Sequence, residues 1–233
     1  MDYNNPETYL DGAVLLIDKP LEWTSFDVVN KIRQTLRYRL GIQKIKVGHA
    51  GTLDPLATGL VIICTGKATK QINAFQDLDK TYRAVIRTGS TTPSFDLETA
   101  VDHTYPWEHI TPEMIQAALK EFTGEQEQLP PVYSAKSVAG KRAYEMARKG
   151  KHVELKPQRI MIRKLELQDF DPPDLSIQVE CSKGTYIRSL ARDLGSYLHS
   201  GAHLTGLRRT LIGAYSVENA LSIEDFQEKL KLL

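Results

Sequence analysis

Residues 47–60 read VGHAGTLDPLATGL, a glycine-rich loop that runs into an apolar strand. The loop holds three glycines and a single carboxylate, Asp54, which stands directly before Pro55. Glycine permits backbone angles closed to other residues and a close approach to a ligand, and a residue before proline is held in an extended or turn conformation. Asp54 is therefore either a carboxylate that caps a turn, as is common at Asp-Pro, or one presented for chemistry.

Apolar spacing around this loop predicts both strands and helices. Strands are predicted at 13–17, 60–64, 82–88, 160–170 and 175–181, and helices at 26–40, 112–122 and from 185 onward. Ser25 is predicted to cap the first long helix, and Gly41 to end it. The pattern indicates a mixed α and β protein, with no internal repeat and no linker long enough to divide the chain.

The charge of the chain is unevenly distributed. Its 233 residues are 41% hydrophobic and 25% charged, as in an ordinary globular protein, and the net charge of +1 makes no case for a nucleic-acid or membrane partner. Six basic and no acidic residues lie in 28–53, and ten basic against two acidic residues lie in 136–164. Eight acidic residues against one lysine lie in 91–128, so near-neutrality hides strong local charges.

Targeting signals are missing from the sequence. The longest apolar runs, such as 60–64, are far shorter than the roughly twenty residues that a membrane helix needs. The first residues, MDYNNPETYLDG, lack the basic start and apolar stretch of a secretory signal. Cys64 and Cys181 lie far apart and form no CxxC pair, which argues against a zinc site or a disulfide framework. The sequence predicts a cytoplasmic protein with reduced thiols.

Familiar catalytic motifs are also missing. The sequence contains no P-loop, no GxGxxG, no HExxH and no GxSxG. If the protein is an enzyme, this leaves carboxylate chemistry without a metal or cofactor. An ionised Asp54 suits a nucleophile or a base, and Arg188 is a natural partner for it, because a guanidinium binds a carboxylate bidentately. The alternative for Arg188 is an exposed position on its helix.

Three further residues keep two interpretations each. Tyr82 is either a core aromatic side chain of its strand or a face on which a base stacks. His49 either makes hydrogen bonds within its loop or belongs to a site. Lys19 is either a solvated charge in a turn or a site residue, and the residues alone do not decide among these.

Six ordered segments resemble the TruB family of tRNA pseudouridine synthases. They read LLIDKP at 15–20, VGHAGTLDPLATGL at 47–60, DKTYRA at 79–84, YSAKSVAGKRAYEMARKG at 133–150, CSKGTYIRSLARDLG at 181–195 and GAHLTGLRRT at 201–210. The resemblance implies an α+β pseudouridine synthase fold, with a curved, mixed, mostly antiparallel sheet flanked by helices. It also implies a single catalytic domain over 1–233, with an RNA-clamping insertion at about 124–155.

The activity implied by the resemblance is the isomerisation of uridine-55 in the T-loop of tRNA to pseudouridine, without a cofactor or metal. The bond from ribose C1′ to N1 of uracil breaks, the base turns while it stays bound, and C1′ joins C5. Asp54 is then the catalytic carboxylate, which either attacks C1′ or removes the C2′ proton. The target nucleotide must be flipped out of the RNA, at an unstacking cost of about a few kcal/mol.

The family's functional residues carry over to matching positions. Tyr82 is implied to stack on the flipped base and to assist proton transfer at C5. Arg188 is implied to pair with Asp54, and His49 to help replace the flipped base. The other substrate-binding residues implied are Lys19 and Pro20, which support the loop, Tyr186 and Leu207 beside the pocket, and Lys136, Lys141, Arg142, Arg208 and Arg209, which face phosphates.

The resemblance implies a monomeric enzyme whose partner is the T-arm stem-loop of tRNA. It implies no membrane and no obligate protein partner.

Two departures from the family pattern are visible. Glu22 stands where many relatives have glycine, so the turn after Lys19 and Pro20 is expected to differ in backbone conformation. The eighteen residues 216–233 are too few for the RNA-binding PUA domain that relatives commonly carry, so the catalytic domain is expected to bind tRNA alone.

Two alternatives to this function stay open. One is a non-catalytic RNA chaperone that keeps the clamp, which the joint presence of Asp54, Tyr82 and Arg188 disfavours. The other is an enzyme that modifies a different uridine, or a different RNA such as a messenger stem-loop that mimics the T-arm. The segment around Asp54 does not separate the second alternative from the tRNA enzyme.

Overall fold

The computed structural model describes residues 1–134 and 155–230, together with the backbone of two short strands at 137–138 and 141–142. Lys136 lies outside the described residues, as do the side chains of Lys141 and Arg142. Half of the predicted clamp at 124–155 therefore falls in the part of the chain that the structure leaves undescribed.

The chain divides into two compact units. Unit 1 is Met1–Tyr82 with Arg208–Leu233, and unit 2 is Arg83–Leu207. Both units combine helices with strands that are mostly antiparallel, which confirms the predicted α+β class. Within the described ranges, no helix is long and apolar enough to cross a membrane.

The secondary structure consists of six α-helices in the described residues, two short 3-10 helices and thirteen strands. The α-helices are α1 Pro6–Gly12, α2 Ser25–Leu40, α3 Ile72–Asp77, α4 Pro112–Glu121, α5 Ile187–Tyr197 and α6 Ile223–Lys229, and the 3-10 helices are Gly66–Gln71 and Val217–Asn219. The first seven strands are β1 Val14–Lys19, β2 Val47–Ala50, β3 Ala57–Thr65, β4 Lys80–Thr88, β5 Ser90–Thr91, β6 His103–Thr104 and β7 Gly124–Gln128. The remaining strands are β8 Ser137–Val138, β9 Lys141–Arg142, β10 Gln158–Asp171, β11 Asp174–Cys181, β12 Ala202–Ile212 and β13 Tyr215–Ser216.

Strand β3 is the centre of unit 1. It pairs antiparallel with β1, where Lys19 lies opposite Gly59, and with β2, where Ala50 lies opposite Ile62. Residues 60–64 have no exposed surface, which confirms the predicted buried strand. Strand β1 extends beyond the predicted end at residue 17, so Lys19 belongs to the strand rather than to a solvated turn.

Helix α2 begins one residue earlier than the sequence predicts. Thr24 is the N-cap, and its side chain exchanges hydrogen bonds with Asp27 in a capping box. The expected cap at Ser25 is wrong, because the Ser25 hydroxyl turns inward to Leu53 instead. Gly41 ends the helix in the left-handed conformation, at φ +64°, as predicted.

Unit 2 is built on a long hairpin. Strands β10 and β11 pair antiparallel from Ile162 opposite Cys181 to Asp171 opposite Asp174, and β7 adds to the other side of β10. Helix α4 starts after the N-cap Thr111, as predicted. Helix α5 has Tyr186 as its N-cap, which places Arg188 in the first turn of the helix.

Candidate active site

The Asp54 loop joins β2 to β3 in unit 1. The Asp54 carbonyl accepts a hydrogen bond from the Ala57 amide at 3.0 Å, which closes the turn before β3. At Gly59 the backbone has φ +105°, and a Cβ there would lie 2.3 Å from the Arg209 carbonyl oxygen. Glycine is therefore required at the start of β3, where two strands approach closely.

Ser25 attaches the loop to helix α2. Its hydroxyl accepts a hydrogen bond from the Leu53 amide at 2.8 Å and donates one to the Leu53 carbonyl at 3.3 Å. Leu53 itself is buried. The residue before Asp54 is thus held on both of its backbone polar groups by one buried side chain.

Lys19 holds the loop from the other side of Asp54. Its side chain has no exposed surface, and Nζ donates to the carbonyls of Trp23 at 2.6 Å, Pro20 at 2.9 Å and Pro55 at 3.3 Å. Burial lowers the pKa of Lys19 to about 8, and the negative charge of Asp54 opposes that shift. The fully buried ammonium supports the loop, and the predicted substrate-binding role of Lys19 stays a prediction. Pro20 is exposed beside it.

Glu22 adopts the backbone conformation of a glycine. Its φ is +66°, and its amide donates to the Pro55 carbonyl at 2.8 Å. The expected difference in backbone from relatives that have glycine at this position stays a prediction. The left-handed conformation costs a non-glycine residue about 1–2 kcal/mol.

Arg209 is a buried support of the loop. It is 1% exposed, and its guanidinium donates to the carbonyls of Leu60 at 2.7 Å, Gly51 at 3.1 Å and Thr52 at 3.5 Å. The predicted phosphate contact of Arg209 stays a prediction. Carbonyl oxygens of the protein take up this guanidinium, which ties the two ends of the Asp54 loop together.

Arg208 points elsewhere than its neighbour. Its guanidinium forms a two-point ion pair with Asp18, at 2.6 and 3.0 Å, and its side chain is 41% exposed. A carboxylate therefore already balances the charge of the Arg208 guanidinium, for which a phosphate contact is predicted. The two adjacent arginines therefore have different partners, which could not be predicted from the residue type that they share.

His49 and Tyr82 also belong to unit 1. His49 is half-buried on β2, and burial lowers its pKa, with the charge of Arg209 lowering it further. The imidazole is therefore neutral at neutral pH. Tyr82 is 8% exposed on β4.

Arg188 lies in unit 2 with a carboxylate that sequence reasoning missed. Its Nε is 3.6 Å from Asp96 Oδ2, and its Nη1 donates to the Ser94 carbonyl at 3.3 Å. Both charged side chains are less than a tenth exposed. In the sequence, Asp96 was only one member of an acidic run, and no spacing linked it to Arg188. The predicted pairing of Arg188 with Asp54 joins residues of different units and stays a prediction.

Tyr186 and Leu207 are both half-buried residues of unit 2. The Gln128 side chain accepts from the Tyr186 amide at 2.8 Å and donates to its carbonyl at 3.1 Å. This bidentate contact fixes the backbone where helix α5 begins. In the ranges that the structure describes, no three His, Cys, Asp or Glu side chains cluster to hold a metal ion.

Comparisons with known proteins define the class as a pseudouridine synthase. A family model described as "TruB family pseudouridylate synthase (N terminal domain)" matches residues 37–187. A second, "tRNA pseudouridylate synthase B C-terminal domain", matches residues 188–232. The chain belongs to the TruB family, which confirms the family predicted from the sequence.

The similar proteins include bacterial relatives and solved structures. A tRNA pseudouridine synthase B from Phocaeicola vulgatus is 59% identical over 222 residues, covering 95% of this chain and 94% of the relative. One from Flavobacterium johnsoniae is 51% identical over 227 residues, covering 97% of this chain and 99% of the relative. Among solved structures, a Cbf5-Nop10-Gar1 complex matches at TM-score 0.73 and 27% identity. The match covers 97% of this chain and 56% of the solved chain, and it confirms the predicted pseudouridine synthase fold.

Proposed function

We propose that the protein isomerises uridine-55 in the T-loop of tRNA to pseudouridine. The bond from C1′ to N1 breaks, C1′ bonds to C5, N1 gains a proton and C5 loses one, so no oxidant, reductant or cofactor is consumed. The observation that carries the proposal is the Asp54 loop. It presents one carboxylate between Leu53, held by Ser25, and Pro55, held by buried Lys19.

Asp54 is the proposed catalytic carboxylate. An ordinary aspartate is ionised at neutral pH, and the charge of Asp54 attracts the Lys19 ammonium. A carboxylate so held suits either attack on C1′ or removal of the C2′ proton. Preorganisation of its backbone on both sides supports either route, because catalysis depends on holding the reacting group in place.

Arg188 is proposed to stabilise negative charge in the reaction. Its guanidinium is buried, with Asp96 at one edge. A buried cation stabilises negative charge more strongly than a cation in water does. Tyr82 is proposed to stack on the flipped uracil, and neutral His49 to help replace the flipped base in the RNA loop. Their support is the match to the family motif together with their position on β4 and β2 of unit 1.

The proposed partner is the T-arm of tRNA, bound by a monomer in the cytoplasm. A base inside a folded RNA loop must leave the stack before C1′ can be reached, so base flipping is part of the proposal. The basic segment at 136–164 is proposed to close over the arm. A tRNA substrate favours the cytoplasm as the place of action.

The test is to incubate the purified protein with an unmodified tRNA transcript and to map pseudouridine along the RNA. We expect one new pseudouridine at position 55, and none in a transcript with cytidine there. Modification of another uridine would favour the alternative substrate. An unchanged RNA whose refolding is accelerated by the protein would favour the chaperone and overturn the proposal.

A further inference from the structure

The exposed side of helix α2 forms a basic face, which we name the α2 face. It comprises Lys31, Arg33, Arg37 and Tyr38, together with Lys44 in the loop that follows the helix. Arg33 and Arg37 are four residues apart and neighbour each other on the helix, and Lys31 and Tyr38 are seven apart, two turns along the same side. The opposite side carries Val28, Ile32 and Leu36, which are fully buried.

Most of the charge on the α2 face is available for a partner. Among the residues that the structure describes, Lys31, Arg37 and Lys44 form no ion pair. Arg39 differs, because it donates to the Leu230 carbonyl. Since 28–53 contains no acidic residue, no carboxylate of that segment can neutralise this face.

Tyr38 adds a polar aromatic side chain at the far end of the face. It is 77% exposed, the most exposed of the large apolar side chains that the structure describes. It can donate a hydrogen bond to a phosphate or a ribose hydroxyl, as tyrosines do on nucleic-acid surfaces.

The α2 face is rigidly connected to the Asp54 loop at one end. Ser25, the first residue of the helix, binds Leu53, and Arg33 donates to the Val47 carbonyl at 3.3 Å. The helix has 16 residues, so it extends about 24 Å from Ser25. A partner on the far part of the face, at Arg37 and Lys44, therefore lies well away from the reacting nucleotide.

We propose that the α2 face binds phosphates of the RNA duplex whose loop enters the site. The inference rests on the proposed RNA substrate and names a surface for the stem rather than for the loop. Duplex nucleic acid presents closely spaced phosphates along its axis, and cations one helical turn apart can neutralise several of them. Because α2 is bound to the Asp54 loop, a duplex held on it is oriented with respect to the catalytic carboxylate.

The test compares the salt dependence of binding for two stem-loops. One has a stem just long enough to close the loop, and the other has a stem longer than α2. Both carry pseudouridine at the target position already, so that nothing reacts during the titration. The variant is Arg37→Gln with Lys44→Gln. The control, with the same loss of charge in unit 1, is Lys67→Gln with Lys229→Gln, since Lys67 pairs with Asp11 and Lys229 lies over Tyr3.

With the long stem, we expect the variant to lower the slope of log affinity against log salt by about two, one unit for each phosphate contact. With the short stem, the variant and the control should both match the unchanged protein. An unchanged slope on the long stem would overturn the inference. That result is expected if the α2 face binds an acidic protein instead of RNA. Equal losses on both stems would also overturn it, because the contact would then be to the loop.

Failure of the proposed function would be recognised separately. The slope reports binding only, whereas mapped pseudouridine in a tRNA transcript reports activity. All four substituted side chains lie on the surface, so circular dichroism of the two variants should match that of the unchanged protein.

Discussion

Arg209 donates a hydrogen bond of 3.1 Å from Nη2 to the carbonyl oxygen of Gly51, across the start of the Asp54 loop. The same guanidinium reaches the Leu60 carbonyl at the end of that loop. A buried charge destabilises a fold unless it is fully hydrogen-bonded, and these carbonyls provide the acceptors. One side chain therefore closes the loop on which Asp54 stands.

Replacing Arg209 should affect stability far more than replacing Arg208. Arg209→Met leaves buried carbonyl oxygens without donors, so the free energy of unfolding should fall by about 3 kcal/mol. Arg208→Met removes a partly exposed ion pair, and the loss should stay below about 1 kcal/mol. Urea unfolding of the two variants measures both. Equal losses would contradict the support role of Arg209.

Asp54→Asn should abolish pseudouridine formation and leave tRNA binding within about tenfold, because it removes charge with almost no change of volume. Single-turnover assays and filter binding on the same tRNA measure the two effects. Glu22→Gln is a matched control, since it removes a nearby exposed carboxylate that the proposal does not use. Substantial turnover by the Asp54 variant would refute the assigned role.

Asp96→Asn should lower the single-turnover rate by about tenfold or more, equivalent to about 1.4 kcal/mol of barrier. The neutral amide no longer holds the Arg188 guanidinium by charge, whereas RNA affinity should hardly change. Asp102→Asn is the control, because Asp102 is exposed and binds Thr91 rather than an arginine. A rate loss shared by both variants would argue against a specific effect on Arg188.

The buried Lys19 should make stability depend on alkaline pH. Its pKa is about 8 in the fold against an ordinary value of 10.5, so the unfolded chain binds this proton more tightly. The Lys19 contribution to the free energy of unfolding should therefore rise as pH increases from about 8 to about 10.5 and be constant below that window. Urea unfolding at several pH values measures this, and Lys19→Met should remove the slope that the unchanged protein shows.

Glu22→Gly should stabilise the protein by about 0.5–1 kcal/mol. Glycine relieves the strain of a positive φ, and its greater freedom in the unfolded chain offsets part of that gain. Leu21→Gly is the control, since Leu21 is exposed but has no positive φ, and it should destabilise. Thermal unfolding compares the two. A loss of stability in Glu22→Gly would mean that the side chain makes a contribution beyond its backbone.

Much of the fold could be predicted because burial imposes a period on the sequence. Residues 60–64 are apolar throughout, as a strand covered on both faces must be, and the stripe of Val28, Ile32 and Leu36 marks α2. Strand β7 was not predicted, because its sequence GEQEQ has no apolar face and depends on pairing with β10. The N-cap of α2 is Thr24 rather than the predicted Ser25, because the Ser25 hydroxyl binds the backbone of Leu53, 28 residues away.

The supports of the site were harder to predict than its carboxylate. Asp54 is marked by its own neighbours, three glycines and a proline. Arg208 and Arg209 are identical in type and adjacent in sequence, yet only the second faces the carbonyls of the Asp54 loop. Asp96 is distinguished from the surrounding acidic residues only by Arg188, which lies 92 residues further along the chain. Such roles depend on groups that the fold brings together from distant segments.

Gly59 would stand out in a deep mutational scan for a reason unrelated to chemistry. Any side chain there meets the Arg209 backbone, at 2.3 Å from the carbonyl oxygen and 2.8 Å from the amide nitrogen. A screen that scores only cell growth would find substitutions at Gly59 as poorly tolerated as substitutions at Asp54. Scoring protein abundance alongside growth separates them, since Gly59 variants should disappear from the soluble fraction while Asp54→Asn accumulates at normal levels.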